Sequence, residues 1–143
     1  MFAFIAAAIL ALQTPAPAPA PGWTWTLYAD DTPVVLANEI PDTANLRATL
    51  ECDPGSSVAR LTLYGPPLTG MARVAAGDAV AMAEAAPARG ETTRLTLRTD
   101  HPAFAAFAAD GKMNVLVGDH TRPVEVPAGH LAKLRRFSEL CSG

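Results

Sequence analysis

Apolar and polar residues alternate along most of the chain. In WTWTLY, residues 23–28, Trp23, Trp25 and Leu27 fall on one side and Thr24, Thr26 and Tyr28 on the other. A period of two is that of a half-buried strand. Asp30-Asp31-Thr32-Pro33 reads as a turn, and PVVLAN after it predicts a second short strand. NLRATLEC carries the cleanest alternation: Leu46, Ala48, Leu50 and Cys52 point inward, and Arg47, Thr49 and Glu51 outward. DPGSS follows with turn chemistry, proline presetting φ and glycine free to take a positive φ. SVARLTLYG then returns with Ala59, Leu61 and Leu63 on one face, so the two strands are expected to pair as a hairpin. YGPPLTG interrupts the ladder.

MARVAAGDAVAMAEA predicts a second hairpin around Gly77-Asp78, although alanine has low strand propensity and would also serve a helix. TTRLTLRT is a further strand, with Thr93, Leu95 and Leu97 inside. In TDHPAFAAFAADGK the period changes. Asp100 is placed to cap a helix, Pro102 suits its first turn, and Gly111 suits its C-terminal stop. MNVLVGD and TRPVEV read as two short strands. Pro123 has no N–H to give a ladder, which puts the second of them at a sheet edge. AGHLAKLRRFSELC is amphipathic, with Leu131, Leu134, Phe137 and Cys141 near one stripe. The expected fold is therefore mainly β (α+β): an antiparallel β-sandwich or half-open barrel with a short helix and a C-terminal helix.

The first 22 residues differ in kind. Nothing from Met1 to Ala29 carries a side-chain charge. The apolar run Phe2–Leu12 is shorter than the roughly 20 residues that span a bilayer, and it fits the apolar core of a secretory signal. Residues 1–13 are read as that leader. It lacks a basic start, and prolines follow both Ala-x-Ala candidates, Ala16-Pro17-Ala18 and Ala18-Pro19-Ala20. Residues 14–22 form a Pro/Ala-rich linker that cannot join a ladder or continue a helix. Residues 23–143 form one β-rich domain. The formal net charge of −3 is spread in both signs without a long run, which gives no reason to expect nucleic-acid binding. No transmembrane anchor is expected.

Only two cysteines occur. Cys52 lies on the inward face of the clearest strand and Cys141 on the inward stripe of the last helix. Two thiols aimed at one core predict a disulfide that holds the last helix down, which suits an exported protein. The alternative is a pair of buried free thiols.

Candidate chemistry is sparse. His101, His120 and His130 show no i, i+3 or i+4 pairing, so no local metal chelate is present. Asp30-Asp31 is better explained as a turn than as part of a calcium cage. Asp100-His101 and Asp119-His120 offer acid and base, but no Gly-x-Ser-x-Gly elbow occurs, and Ser56 and Ser57 belong to a turn. No cofactor is implied. Arg47 and Arg60 stand on the outer face of the first hairpin, and Arg94 and Arg98 on another strand. If those strands are neighbours, four guanidinium groups form a patch for a carboxylate, a phosphate or an acidic partner. The simpler account is solubility and edge protection.

The early tryptophans, the strand ending LEC, the helix FAAFAADGK, the strand KMNVLV and the terminal LRRFSELC form a recognisable order. Over residues 45–141 it resembles the periplasmic invasion-associated locus B proteins and small periplasmic proteins linked to type VI secretion loci. This chain departs from them in its alanine and proline content. The resemblance implies one cysteine in a strand and one near the end of the last helix, the places of Cys52 and Cys141. It also implies a periplasmic accessory or binding role, with no catalytic residues to carry over. The expected function is a non-enzymatic envelope domain with a protein partner. The alternative is a small periplasmic hydrolase or metal-dependent enzyme using His101, His120 or His130.

Overall fold

A computed structural model describes residues 22–143. The leader and nearly all of the Pro/Ala-rich stretch lie outside the described residues. The alternating segments become nine strands: β1 (Thr24–Tyr28), β2 (Val34–Glu39), β3 (Leu46–Cys52), β4 (Val58–Tyr64), β5 (Gly70–Ala76), β6 (Ala79–Ala88), β7 (Thr92–Arg98), β8 (Lys112–Val117) and β9 (His120–Glu125). Two helices complete the domain, α1 (Pro102–Asp110) and α2 (Leu131–Cys141), the second entered through a 3-10 turn at Ala128–His130. The strands form one antiparallel sheet in the order β1-β2-β3-β4-β7-β6-β5-β8-β9, curled into a half-barrel.

Every predicted strand is present, and most of the inward residues are those of the alternation. Leu36, Leu50, Leu61, Leu95, Val74 and Val115 line the concave side with no more than 2 % exposure. Both helices pack on that side, α1 against β5, β6 and β8, and α2 against β1 and β2. The alanine-rich hairpin is a pair of strands, not a helix. Its inward Ala72, Ala76, Ala81, Ala83 and Ala85 are all buried and short. They leave a shallow floor into which α1 lowers Phe104 and Phe107, whose rings meet edge to face at 6.0 Å. Low strand propensity is outweighed here by how well small side chains seat a helix on a sheet.

The expected cap of α1 is replaced. His101, not Asp100, occupies the N-cap, its Nδ1 accepting from the Ala103 N–H at 3.0 Å. Asp100 instead accepts two hydrogen bonds from the Arg98 guanidinium, at 2.9 and 2.7 Å. These bonds hold the Asp100 carboxyl below the ordinary carboxylate value and raise Arg98. A depressed folded-state pKa stabilises the fold above the unfolded value and is lost as pH falls through the folded one. Asp100→Asn is therefore expected to melt slightly below the wild type at pH 7. The gap should close only below 3.8 in an acid series. The pair is exposed, so the effect is small.

Cys52 and Cys141 are joined, with Cα atoms 5.8 Å apart and both residues fully buried. The last carbonyls of α2 lack helical partners. Here Leu140 O accepts from the Gly55 N–H at 3.0 Å and Cys141 O from the Ser57 N–H at 2.7 Å. The turn between β3 and β4 thus caps the helix that the cystine ties to β3.

Candidate functional site

The half-barrel leaves its two edge strands, β1 and β9, facing each other across a seam. β9 carries Pro123, so the expected edge strand is an edge strand. The seam is crossed by side chains. The Trp25 indole donates to Glu125 O at 2.9 Å, and Lys133 Nζ, from the first turn of α2, donates to Trp25 O at 2.7 Å. The same ammonium lies 3.2 Å from His130 Nδ1. Trp25→Phe keeps the apolar ring and removes the seam bond. It is expected to cost about 1 kcal/mol, read as a lower denaturant midpoint at unchanged slope.

Beside this crossing the seam opens into a groove of about 530 Å³, within the range of ligand sites. Its floor includes Ala48, Leu63 and Val124, and its walls carry Trp23, Trp25 and Tyr64. Two arginines stand in it. Arg47 holds its guanidinium 3.9 Å from the centre of the Trp23 ring, a cation–π stack. Arg122 donates from Nη2 to Pro66 O at 2.9 Å, in the loop between β4 and β5. Among the described residues neither arginine has a carboxylate within 4.0 Å. Glu125 is the only acidic residue of the lining. Strand alternation turns its side chain to the face opposite Val124, and it serves the seam through its carbonyl.

Arg47 reaches the groove because of an irregular register. Ala48 pairs with Asn38 and Leu46 with Glu39, so Arg47 is an extra residue on β3. Such a bulge re-aims a side chain, here toward Trp23. Trp23 precedes β1 and sits on the rim, half-buried, while Trp25 is in the core. The other three arginines of the expected patch lie elsewhere. Arg60 and Arg94 flank one carboxylate, Glu51, at 3.3 and 3.9 Å, and Arg60 also reaches Asp53 at 3.6 Å. Arg98 pairs with Asp100. β4 and β7 are neighbours, so Arg60 and Arg94 do share the outer face, yet their charge is largely neutralised there.

The histidines occupy three different places. His101 caps α1 and borders a second, smaller pocket of about 210 Å³ where β6 and β7 splay apart. His120 is exposed at the β8–β9 turn, and His130 lies at the end of the groove. Among the described residues, no group of three or more His, Cys, Asp or Glu side chains could hold a metal ion. Ser56 Oγ is engaged with the backbone of Val58, and Ser57 Oγ accepts from the Gly143 N–H. Among the described residues no helix is long and apolar enough to cross a membrane.

Arg122 and Tyr64 were not singled out in the sequence. Arg122 adjoins the edge proline and shares the inward side with Val124. That pairing, a charge on the core-facing side of an edge strand, is the signal that marks it. No family model, curated protein or solved structure matches the chain.

Proposed function

We propose that the chain is a secreted or periplasmic domain of the bacterial envelope that acts by binding, not by catalysis, and that the seam groove is its binding face. The observation that carries this reading is the pair of guanidinium groups, Arg47 and Arg122, that have no carboxylate partner among the described residues and line one groove with Trp23 and Trp25. Of the four arginines expected to form a patch, Arg60, Arg94 and Arg98 are matched by acids on the outer face, and Arg47 in the groove is not. The cystine suits an oxidising compartment. The apolar leader and the resemblance to periplasmic locus B and type VI secretion-associated proteins point the same way, toward an envelope protein partner. The histidines take part in capping, a turn and an ammonium contact, which gives the hydrolase or metal-enzyme alternative no assembled site.

A photo-crosslinking residue placed at Tyr64, inside the groove, tests this in intact cells. The control position is Arg89, in the exposed β6–β7 turn. A discrete adduct in the envelope fraction from position 64 and none from position 89 is the expected result. Adducts from position 89 alone would contradict the groove as binding face.

A further inference from the structure

We infer that the groove takes up an extended, acidic peptide segment of a partner protein, which adds as a strand between the free edges of β1 and β9. The inference rests on the binding reading above and names its ligand class. Three features carry it.

The first is the walls. β1 pairs only with β2 and β9 only with β8, so each turns one side of its backbone to the seam. Glu125 O is met there by the Trp25 indole and Trp25 O by Lys133, so both carbonyls point away from their ladders. In an antiparallel strand the backbone groups of every second residue point the same way. The carbonyl of Pro123 and the backbone groups of Thr121 on β9, and those of Leu27 on β1, therefore also face the seam. A tryptophan side chain is needed to bridge the two edges, so they stand further apart than the roughly 4.8 Å of paired strands. Unpaired strand edges recognise an extended peptide through its main chain.

The second is charge. Arg47 and Arg122 lie toward the open end of the groove, each without a carboxylate partner among the described residues. The Trp23 ring orients the Arg47 plane and leaves its N–H edges free for a bidentate carboxylate. The domain as a whole is acidic, with a formal net charge of −3, so this local excess of positive charge selects against basic segments.

The third is the floor. Ala48, Leu63 and Val124 are apolar and buried. A strand between the edges would turn every second side chain inward, the side that Arg122 shares with Val124, so glutamates at alternate positions would lay their methylene stems on that floor and bring their carboxylates to the guanidinium groups.

The test uses the domain with its disulfide intact and a fluorescein-labelled Glu-Val-Glu-Val-Glu-Val peptide, followed by anisotropy. Three comparison probes are a Lys-Val counterpart, a Glu-Val peptide N-methylated at alternate residues, and oligogalacturonate, which has carboxylates but no peptide backbone. Saturable binding of the Glu-Val peptide is expected, weakening with salt. The N-methylated and Lys-Val peptides should bind at least about tenfold more weakly, and oligogalacturonate should not compete. Arg47→Gln and Arg122→Gln should each weaken binding by about tenfold, and Arg94→Gln should leave it unchanged. Equal binding of the N-methylated peptide would overturn the added strand, and equal binding of the Lys-Val peptide would overturn the charge recognition. Displacement by oligogalacturonate would replace the peptide with an acidic sugar. No binding of the Glu-Val peptide would also overturn the inference. The wider reading would survive that result if the Tyr64 adduct forms, and fall with it if no adduct forms.

Discussion

Replacing Cys52 and Cys141 together by alanine is expected to lower stability by about 4.6 kcal/mol, from the loop-closure entropy of a crosslink this long. The two residues are 89 apart in sequence. The bond spans most of the folded domain, from the end of β3 to the last turn of α2. In a domain of this size the loss corresponds to a fall in melting temperature on the order of 15–20 °C. It also removes a large part of the 5–15 kcal/mol typical of a domain. The loss should not be spread evenly. Without the bond, the end of α2 is held by hydrogen bonds alone, from the Gly55 and Ser57 N–H groups to Leu140 and Cys141, from the Gly143 N–H to Ser57 Oγ and from Ser142 Oγ to Thr99 Oγ1. Amide exchange should therefore quicken first in α2 and in the turn after Cys52, while β7 and β4 stay protected. A melting temperature within a few degrees of the wild type would show that core packing around Phe137 and Leu134 holds the helix without the bond. Adding reductant to the wild type should reproduce the double substitution.

Gly111→Ala is the second severe change. Gly111 ends α1 in the left-handed region, at φ 78°, and its N–H donates to Phe107 O at 2.7 Å. Its carbonyl accepts from the Val126 N–H, also at 2.7 Å, which locks the end of β9 to the end of α1. A Cβ there would lie 2.2 Å from Val126 O and 2.8 Å from Leu131 Cδ2. The left-handed conformation alone costs an alanine about 1–3 kcal/mol. Overlap with a backbone oxygen adds about 1–3 kcal/mol more, because the carbonyl moves only if the strand moves. Gly111→Ala also bears on function. Val126 leads into Pro127 and His130, which close one end of the groove. Chemical denaturation should show the loss, and the tryptophan emission of Trp23 and Trp25 should change with it. Gly90→Ala is the matched control. Its φ is also positive, at 70°, but nothing lies within 4 Å of the added carbon. It should cost only the conformational part.

The strands were legible because nearly every one has a polar outer face and an apolar inner face. NLRATLEC and TTRLTLRT show their inward residues at every second position, and the burial follows them. Turn chemistry at Asp53–Ser57 and Gly77-Asp78 marked the hairpins. The two inward cysteines pointed to their bond. Less legible was anything that depends on strands distant in sequence. Between β4 and β7 the chain makes a detour through β5 and β6, and no local pattern announces that order. Arg47 alternates with Thr49 and Glu51, so it reads as an outer-face residue. Only the bulge opposite Asn38 and Glu39 diverts it to Trp23. The groove joins β1 to β9, about as far apart as the domain allows, so Arg122 could not be linked to Trp23 by spacing. The cap of α1 was a closer contest. Asp100 and His101 both suit the position, and Arg98 two residues earlier draws Asp100 away.

The central claim is an exported domain that its cystine holds in one shape. The most direct test is the intact mass of the protein in the periplasmic fraction, after thiol alkylation with and without prior reduction. The account predicts a mass shortened by the leader, with no thiol alkylated until reductant is added and two alkylated after it. A full-length mass in the cytosol with both thiols reactive from the start would contradict it.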